Sequence, residues 1–200
     1  INQSSCNKDF SCVKGFCPSF VTVEGGALKK PRKAASSEAA PPALPLPRIP
    51  ATTNPFGILV TGIGGTGVVT VGQILAVAAH VEGKGALVLD MSGLAQKGGP
   101  VMSHVRLADR QADLHSTRVG TGNADLVIGC DQIVTASRDA LSRMGEGRTW
   151  AAVNGSGATT AAFIKNPDWQ FPAEGSRGAI VQACGEGNVD FIDAGHIATT

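Results

Sequence analysis

Apolar positions follow two regimes along the chain. From residue 56 onward, short apolar runs alternate with longer mixed segments. Gly57-Ile58-Leu59-Val60-Thr61 has the character of a buried strand, and Gly62-Ile63-Gly64-Gly65-Thr66-Gly67 leads from it into a stretch that predicts a helix from Val68 to about His80. Ala86 to Asp90 predicts a second strand, Val101 to Leu107 a third and Asp125 to Gly129 a fourth. A helix from about Val134 to Met144 should then precede strands at Thr149 to Val153 and Val189 to Asp193. Strands alternating with helices predict an α/β fold of Rossmann-like, doubly wound type: a mainly parallel sheet with right-handed crossovers and helices on both faces. Before residue 56 the periodicity disappears. Seven of the eleven prolines lie between Gly26 and Pro55, among Ala, Ser and Lys, which predicts a semi-rigid extended linker. Roughly 25 such residues at about 3.1 Å each would reach on the order of 75 Å, enough to join two bodies.

Composition narrows this picture. The 200 residues are 42% apolar and 16% charged with 26 glycines, so a core can be filled, and buried parallel strands suit the chain better than a helical bundle. A formal charge of +1 gives no electrostatic case for nucleic acid as the main partner. No apolar run of about 18 residues predicts a membrane span, and the N-terminus has no secretory pattern, so the expected compartment is the cytoplasm. The chain starts at Ile1 rather than Met and ends where a helix would begin, which reads as a fragment of something longer. Three segments are expected: a Cys-rich piece over 1–25, the Pro/Ala-rich linker over 26–55 and the α/β domain over 56–200.

Gly62, Gly64 and Gly67 satisfy the G-x-G-x-x-G spacing between a predicted strand and a predicted helix. The first glycine would permit the turn, the second would admit a ligand to the backbone, and the third would let helix and strand pack closely. Helix N-terminal N–H groups favour a phosphate or diphosphate there, and the alternative is a turn that serves packing only. Asp90 ends the second strand, where a nicotinamide enzyme holds its ribose-binding acid. Hydride transfer would also need a substrate domain, and no such domain is evident.

Gln96, Lys97, Gly98 and Gly99 form a polar, glycine-bearing loop at the predicted sheet edge. They would line a ligand crevice or simply a surface turn. His104 would be a satisfied structural histidine or a base. Cys6, Cys12 and Cys17 crowd the first seventeen residues, and five cysteines in all make an odd number, unlike a disulfide framework. Three soft ligands leave open an iron–sulfur cluster, a zinc site completed from elsewhere, or plain thiols; Pro18 after Cys17 favours the first. Cys130 and Cys184 are expected to be plain thiols.

The residues from Ile1 to Phe20 resemble the end of the thiamine-diphosphate region of fused indolepyruvate ferredoxin oxidoreductases. Gly62 to Gly67, Gln96 to Arg106, Asp125 to Arg143 and Asn166-Pro167-Asp168-Trp169-Gln170-Phe171-Pro172 resemble, in order, their gamma-type pyruvate/ketoisovalerate oxidoreductase catalytic domain. The resemblance covers nearly the whole chain apart from the linker. It implies CoA-dependent oxidative decarboxylation of an arylpyruvate, with thiamine diphosphate and Mg held mainly by regions outside this chain. Electrons would pass through a 4Fe-4S cluster to ferredoxin. Cys6, Cys12 and Cys17 become cluster ligands, with more expected upstream of Ile1. Gly62, Gly64, Gly65, Thr66 and Gly67 become a coenzyme A diphosphate loop, and Gln96 to Gly99 the rim facing the thiamine site. No catalytic residue is assigned. The implied partners are the remainder of the enzyme, ferredoxin and further copies of the chain, and the piece alone should not turn over. Two alternatives stand beside this: an NAD-binding dehydrogenase module, and a non-catalytic, metal-stabilised interaction domain.

Overall fold

A computed structural model describes residues 24–27, 45–46, 49–93, 99–156, 168 and 170–199. The chain divides into two units, Ile1–Pro50 and Ala51–Thr200, and every helix and strand described below belongs to the second. The segment carrying Cys6, Cys12 and Cys17 lies outside the described residues, as does most of the proline-rich stretch.

Strand β1 (Phe56–Ile63) is buried along all but its first residue, as its unbroken apolar run requires. Helix α1 (Val68–Val81) follows the glycine loop directly, one residue longer than the periodicity predicts. Strand β2 (Gly85–Ser92) and strand β3 (Pro100–Ala108) come next, then β4 (Leu126–Gly129). Two short helices, α2 (Gln132–Thr135) and α3 (Arg138–Arg143), replace the single predicted helix. Each has its own cap: Asp131 accepts from the Val134 N–H at 2.8 Å, and Ser137 accepts from the Ala140 N–H at 3.4 Å. A second capping residue inside the predicted helix turns one helix into two. Strand β5 (Trp150–Asn154), helix α4 (Ala173–Cys184), strand β6 (Val189–Ile192) and helix α5 (Ala194–Thr199) complete the order.

The six strands form one sheet in the order β2-β3-β1-β4-β5-β6. β1, β4, β5 and β6 pair in parallel, whereas β3 runs antiparallel to both β1 and β2. The sheet is therefore parallel in three of its five pairings, and where a mainly parallel sheet was expected throughout, β2 and β3 form an antiparallel hairpin. One consequence is direct: β3 stands between β1 and β2, so Asp90 does not border β1.

Side-chain alternation sends two cores to opposite faces. Ile58, Val60, Val68 and Val105 form one, with Val71, Leu75 and Val88 packed against it, so α1 covers that face. Leu59, Val127, Val153, Ala140, Met144, Ile180 and Cys184 form the other, beneath α3 and α4. Cys184 lies in that core with its Sγ 3.6 Å from Met144 Sδ, and burial pushes its thiol up to about 11. It is a packed, protonated sulfur, as expected of a plain thiol. Helix α1 approaches β3 closely at Gly72, where a Cβ would overlap the Ser103 hydroxyl and lie 3.2 Å from Ser103 Cβ.

Candidate functional site

The chain leaves β1 through α1 toward β2 on one side, and leaves β4 through α2 and α3 toward β5 on the other. The carboxyl ends of β1 and β4 therefore diverge, which opens a crevice of the kind where open α/β sheets bind ligands. The glycine loop forms one wall. Parallel register pairs Thr61 with Gly129, and one step further the Cys130 N–H donates to the Thr61 carbonyl at 2.7 Å. β4 ends at Gly129, and Asp131 follows two residues later at the start of α2, beyond the carboxyl end of the strand beside β1.

Each glycine of the loop has a distinct duty. At Gly62 a Cβ would overlap the Thr66 hydroxyl, and would lie 2.9 Å from Val68 Cγ2 and 3.0 Å from Cys130 Cβ, so the loop folds back over a space only a hydrogen fits. Thr66 closes that turn twice: its N–H donates to the Ile63 carbonyl at 3.0 Å and its hydroxyl to the same oxygen at 2.7 Å. Gly64 is exposed, and its N–H donates to the Gly99 carbonyl at 2.8 Å. This bond joins the two glycine-bearing loops that the sequence could only present separately. Gly65 and Gly67 take φ of 97° and 90°, a left-handed backbone that favours glycine. Gly67 caps α1 without a side chain and has open space around it. The expectation that the third glycine of the motif packs helix against strand is corrected: Gly72, inside α1, does that, and Gly67 sets the backbone angle.

This geometry leaves donors available. Among the described residues no acceptor meets the N–H groups of Gly65, Gly67, Val68, Val69 or Thr70, and the first α1 backbone bond runs from the Val71 N–H to the Gly67 carbonyl. Unpaired N–H groups at the start of a fourteen-residue helix carry roughly half a positive charge between them, with no acidic side chain in the first turn to neutralise it. Gln96, Lys97 and Gly98 lie outside the described residues, and only Gly99 of that group is seen.

The opposite wall was not legible in advance. Asp131 is 1% exposed; its Oδ1 holds the Val134 N–H, and its Oδ2 has no partner. Burial pushes its carboxyl pKa up, against the backbone N–H groups of Val134 and Ile133, which pull it down. Cys130 is half-buried, and burial together with the Asp131 charge raises its thiol as well, so it carries no thiolate character. Asn154 ties the strand ends together: its Nδ2 donates to the Cys130 carbonyl at 3.3 Å, and its Oδ1 accepts from the N–H groups of Ser156 at 3.2 Å and Ala194 at 3.3 Å. Asp193 then takes the Ser156 hydroxyl at 2.7 Å and the His196 N–H at 2.9 Å. A polar residue just after each of several strands is the signal that would have found these positions, once the strand order was known.

His104 is fully buried on β3, with Nδ1 accepting from the Val119 N–H at 3.2 Å. Burial, then the Arg118 and Arg143 cations, hold its pKa down to about 4, with Asp139 opposing them. It is a neutral structural histidine carrying its proton on Nε2. Asp90 is exposed on β2 and accepts from Gln73 Nε2 at 3.4 Å. Cys130 and Cys184 are both free, and no group of three His, Cys, Asp or Glu side chains suited to a metal ion occurs among the described residues. Nor is any described helix long and apolar enough to cross a membrane.

Residues 57–167, more than half of the chain, match the family described as pyruvate ferredoxin/flavodoxin oxidoreductase. The chain is 38% identical over 76 residues to an indolepyruvate oxidoreductase subunit IorB of Archaeoglobus fulgidus, a match covering 38% of this chain and 36% of that protein. It is 31% identical over 78 residues to the subunit of the same name in Pyrococcus horikoshii, covering 39% and 37%. The matched region thus spans little more than a third of the length of these curated relatives. In fold it is similar to a 2-oxoglutarate:ferredoxin oxidoreductase from Magnetococcus marinus, solved with 2-oxoglutarate, coenzyme A and succinyl-CoA bound. That likeness has a TM-score of 0.51 at 18% identity and covers 72% of this chain and 21% of that one.

Proposed function

The chain belongs to the pyruvate ferredoxin/flavodoxin oxidoreductase family, and from that premise we propose that it is the gamma-type piece of a cytoplasmic 2-oxoacid:ferredoxin oxidoreductase, with indolepyruvate or another arylpyruvate as substrate, whose glycine loop binds the diphosphate of coenzyme A. The observation that carries this is the set of unpaired N–H groups at Gly65, Gly67, Val68, Val69 and Thr70 on the wall of the β1/β4 crevice. Such a set binds an anion without a basic side chain. Exposed Gly64 lets a phosphate oxygen come close to the backbone, and its bond to Gly99 holds the second loop beside the first.

Thiamine diphosphate would supply the decarboxylation chemistry in the whole enzyme, held with Mg mainly by regions outside this chain. Cys6, Cys12 and Cys17 are proposed as three ligands of a 4Fe-4S cluster passing electrons to ferredoxin. Gln96, Lys97, Gly98 and Gly99 are proposed as the rim that faces the reacting acyl group. The remainder of the enzyme, as further subunits or fused regions, is the proposed obligate partner.

A nicotinamide-binding reading loses its acid. Asp90 pairs with Ser103 across β3, and β3 separates it from the strand that feeds the glycine loop. The test is calorimetric titration of the full chain with coenzyme A and, separately, with NAD. Binding of coenzyme A that is weakened at least roughly tenfold by Gly64→Val supports the reading, because a branched side chain would stand where the phosphate approaches. Preferential binding of NAD, or a Gly64→Val protein that binds coenzyme A as the parent does, overturns it.

A further inference from the structure

Three arginines gather on the face of β3 that α1 leaves uncovered. Arg106 and His104 are two residues apart on β3 and so share that face, where His104 pairs with Leu59 of the core beneath α3 and α4. The connection from β3 to β4 crosses them: the Val119 N–H donates to His104 Nδ1 at 3.2 Å, and Arg106 Nη1 donates to the Arg118 carbonyl at 3.3 Å. Helix α3 then brings Asp139 and Arg143. The Asp139 carboxylate pairs with Arg143 Nη2 at 2.7 Å and with Arg118 Nη2 at 3.9 Å. Both cations and Asp139 act electrostatically on the His104 ring, which sets the imidazole within their reach.

The cluster holds more donors than its own acceptors satisfy. His104 Nε2, Arg106 Nε and Arg143 Nε are buried without a hydrogen-bond partner, and His104 is fully buried as a residue. A buried donor left unmet costs more than a hydrogen bond gains, so three in one neighbourhood mark a place built around an acceptor from outside the chain. Charge identifies that acceptor. Three guanidinium cations stand against the Asp139 carboxylate, a surplus of two positive charges. Water would meet the donors and leave the charge; a dianion meets both. Arginine forks, with no lysine among them, suit an anion gripped through two oxygens at once. Size and polarity favour a small ligand over a protein: β3, the 114–124 connection and α3 expose no large apolar side chain among the described residues.

We propose that Arg106, Arg118 and Arg143, with the His104 Nε2–H beneath them, form a second anion site that takes a phosphate dianion, as free phosphate or as a small phosphomonoester. Arg118 is 47% exposed and makes the longer of the two bridges, so its guanidinium is the one free to exchange Asp139 for the phosphate. The site is distinct from the glycine loop. Arg106 stands opposite Gly57 near the start of β1, whereas the loop begins five residues further on at Gly62, which at about 3.3 Å per residue separates the two by roughly 15 Å or more.

Calorimetric titration of the full chain at low salt, with inorganic phosphate and separately with glycerol 3-phosphate, tests this against chloride at equal ionic strength. Arg118→Gln should weaken phosphate binding at least roughly tenfold, and Asp139→Asn, which removes the competing carboxylate, should tighten it. Gly64→Val should leave this binding in place, so a failure here and a failure of the coenzyme A reading are told apart. The tighter of the two phosphates names the source. Should a variant fail to fold, the parent decides: its His104 Nε2–H signal in nitrogen-15 spectra, assigned by its loss in His104→Gln, should shift on adding phosphate and not on adding chloride. Binding matched by chloride, binding abolished by Gly64→Val, binding untouched by Arg118→Gln or no tighter in Asp139→Asn, or a His104 signal indifferent to phosphate overturns the proposal.

Discussion

Replacing Gly62 by alanine should cost the fold far more than the same change two residues later. The new methyl at Gly62 would meet the Thr66 hydroxyl, Val68 Cγ2 and Cys130 Cβ together. Val68 is 3% exposed and Cys130 sits at the end of a strand, so neither yields readily. Overpacking of this kind costs about 1–3 kcal/mol. Turning the Thr66 hydroxyl away would relieve the first contact, but it breaks the bond to the Ile63 carbonyl for about a further 1 kcal/mol. For a unit the size of Ala51–Thr200, each kcal/mol moves the midpoint by roughly 2–4 °C, so a loss of about 2–4 kcal/mol lowers it by roughly 4–16 °C. At Gly64 a Cβ would meet only the Gly99 carbonyl, at 3.6 Å, and Val101 Cγ2, at 3.8 Å, which are ordinary contacts. Gly64→Ala should therefore stay within about 1 kcal/mol of the parent. Thermal melts by circular dichroism, with coenzyme A affinity measured on each folded protein, separate the two duties. Equal melting shifts for the two variants would show that the loop does not fold back on itself at Gly62, and the assignment of its parts would fail.

Three further outcomes are expected. The folded pKa of His104, about 4 against an ordinary 6.5, means that its contribution is fully present above pH 6.5 and is lost as pH falls toward 4, by about 3 kcal/mol in all. Urea midpoints measured across that window should fall less steeply for His104→Gln, and parallel slopes would show that the histidine is not buried neutral. Asp131→Asn keeps a capping oxygen and removes a buried, half-paired charge, so its melting temperature near neutral pH should match or exceed the parent's; Asp131→Ala loses the cap and should fall by about 0.5–2 kcal/mol. Asp90→Ala should leave coenzyme A affinity within about twofold in titration, since β3 lies between that acid and β1; a large loss would return the nicotinamide reading to contention.

Local pattern carried much of this protein. The apolar run of β1, the glycines that follow it and the helix they open are covalent neighbours, so spacing alone places them together. Short-range competition already blurred the result elsewhere: Asp131 and Ser137 each cap a helix where periodicity predicts one continuous element. Helix α4 escaped notice because Gly175, Gly178 and the polar residues around them dilute its apolar face, and only packing of Ile180 and Cys184 into the core reveals it. Strand order lay further out of reach. An alternating run looks the same whether its neighbour is parallel or antiparallel, so the β2–β3 hairpin, the displacement of Asp90 from β1 and the open edge of β2 emerge only from pairing. The candidate site divides along the same line. The donor-rich glycine loop is legible from local order alone, because backbone angles and a helix start depend on covalent neighbours. That Gly99 meets Gly64, and that Gly72 rather than Gly67 holds helix to sheet, come from long-range packing, since each depends on which strands become neighbours when the two cores are buried.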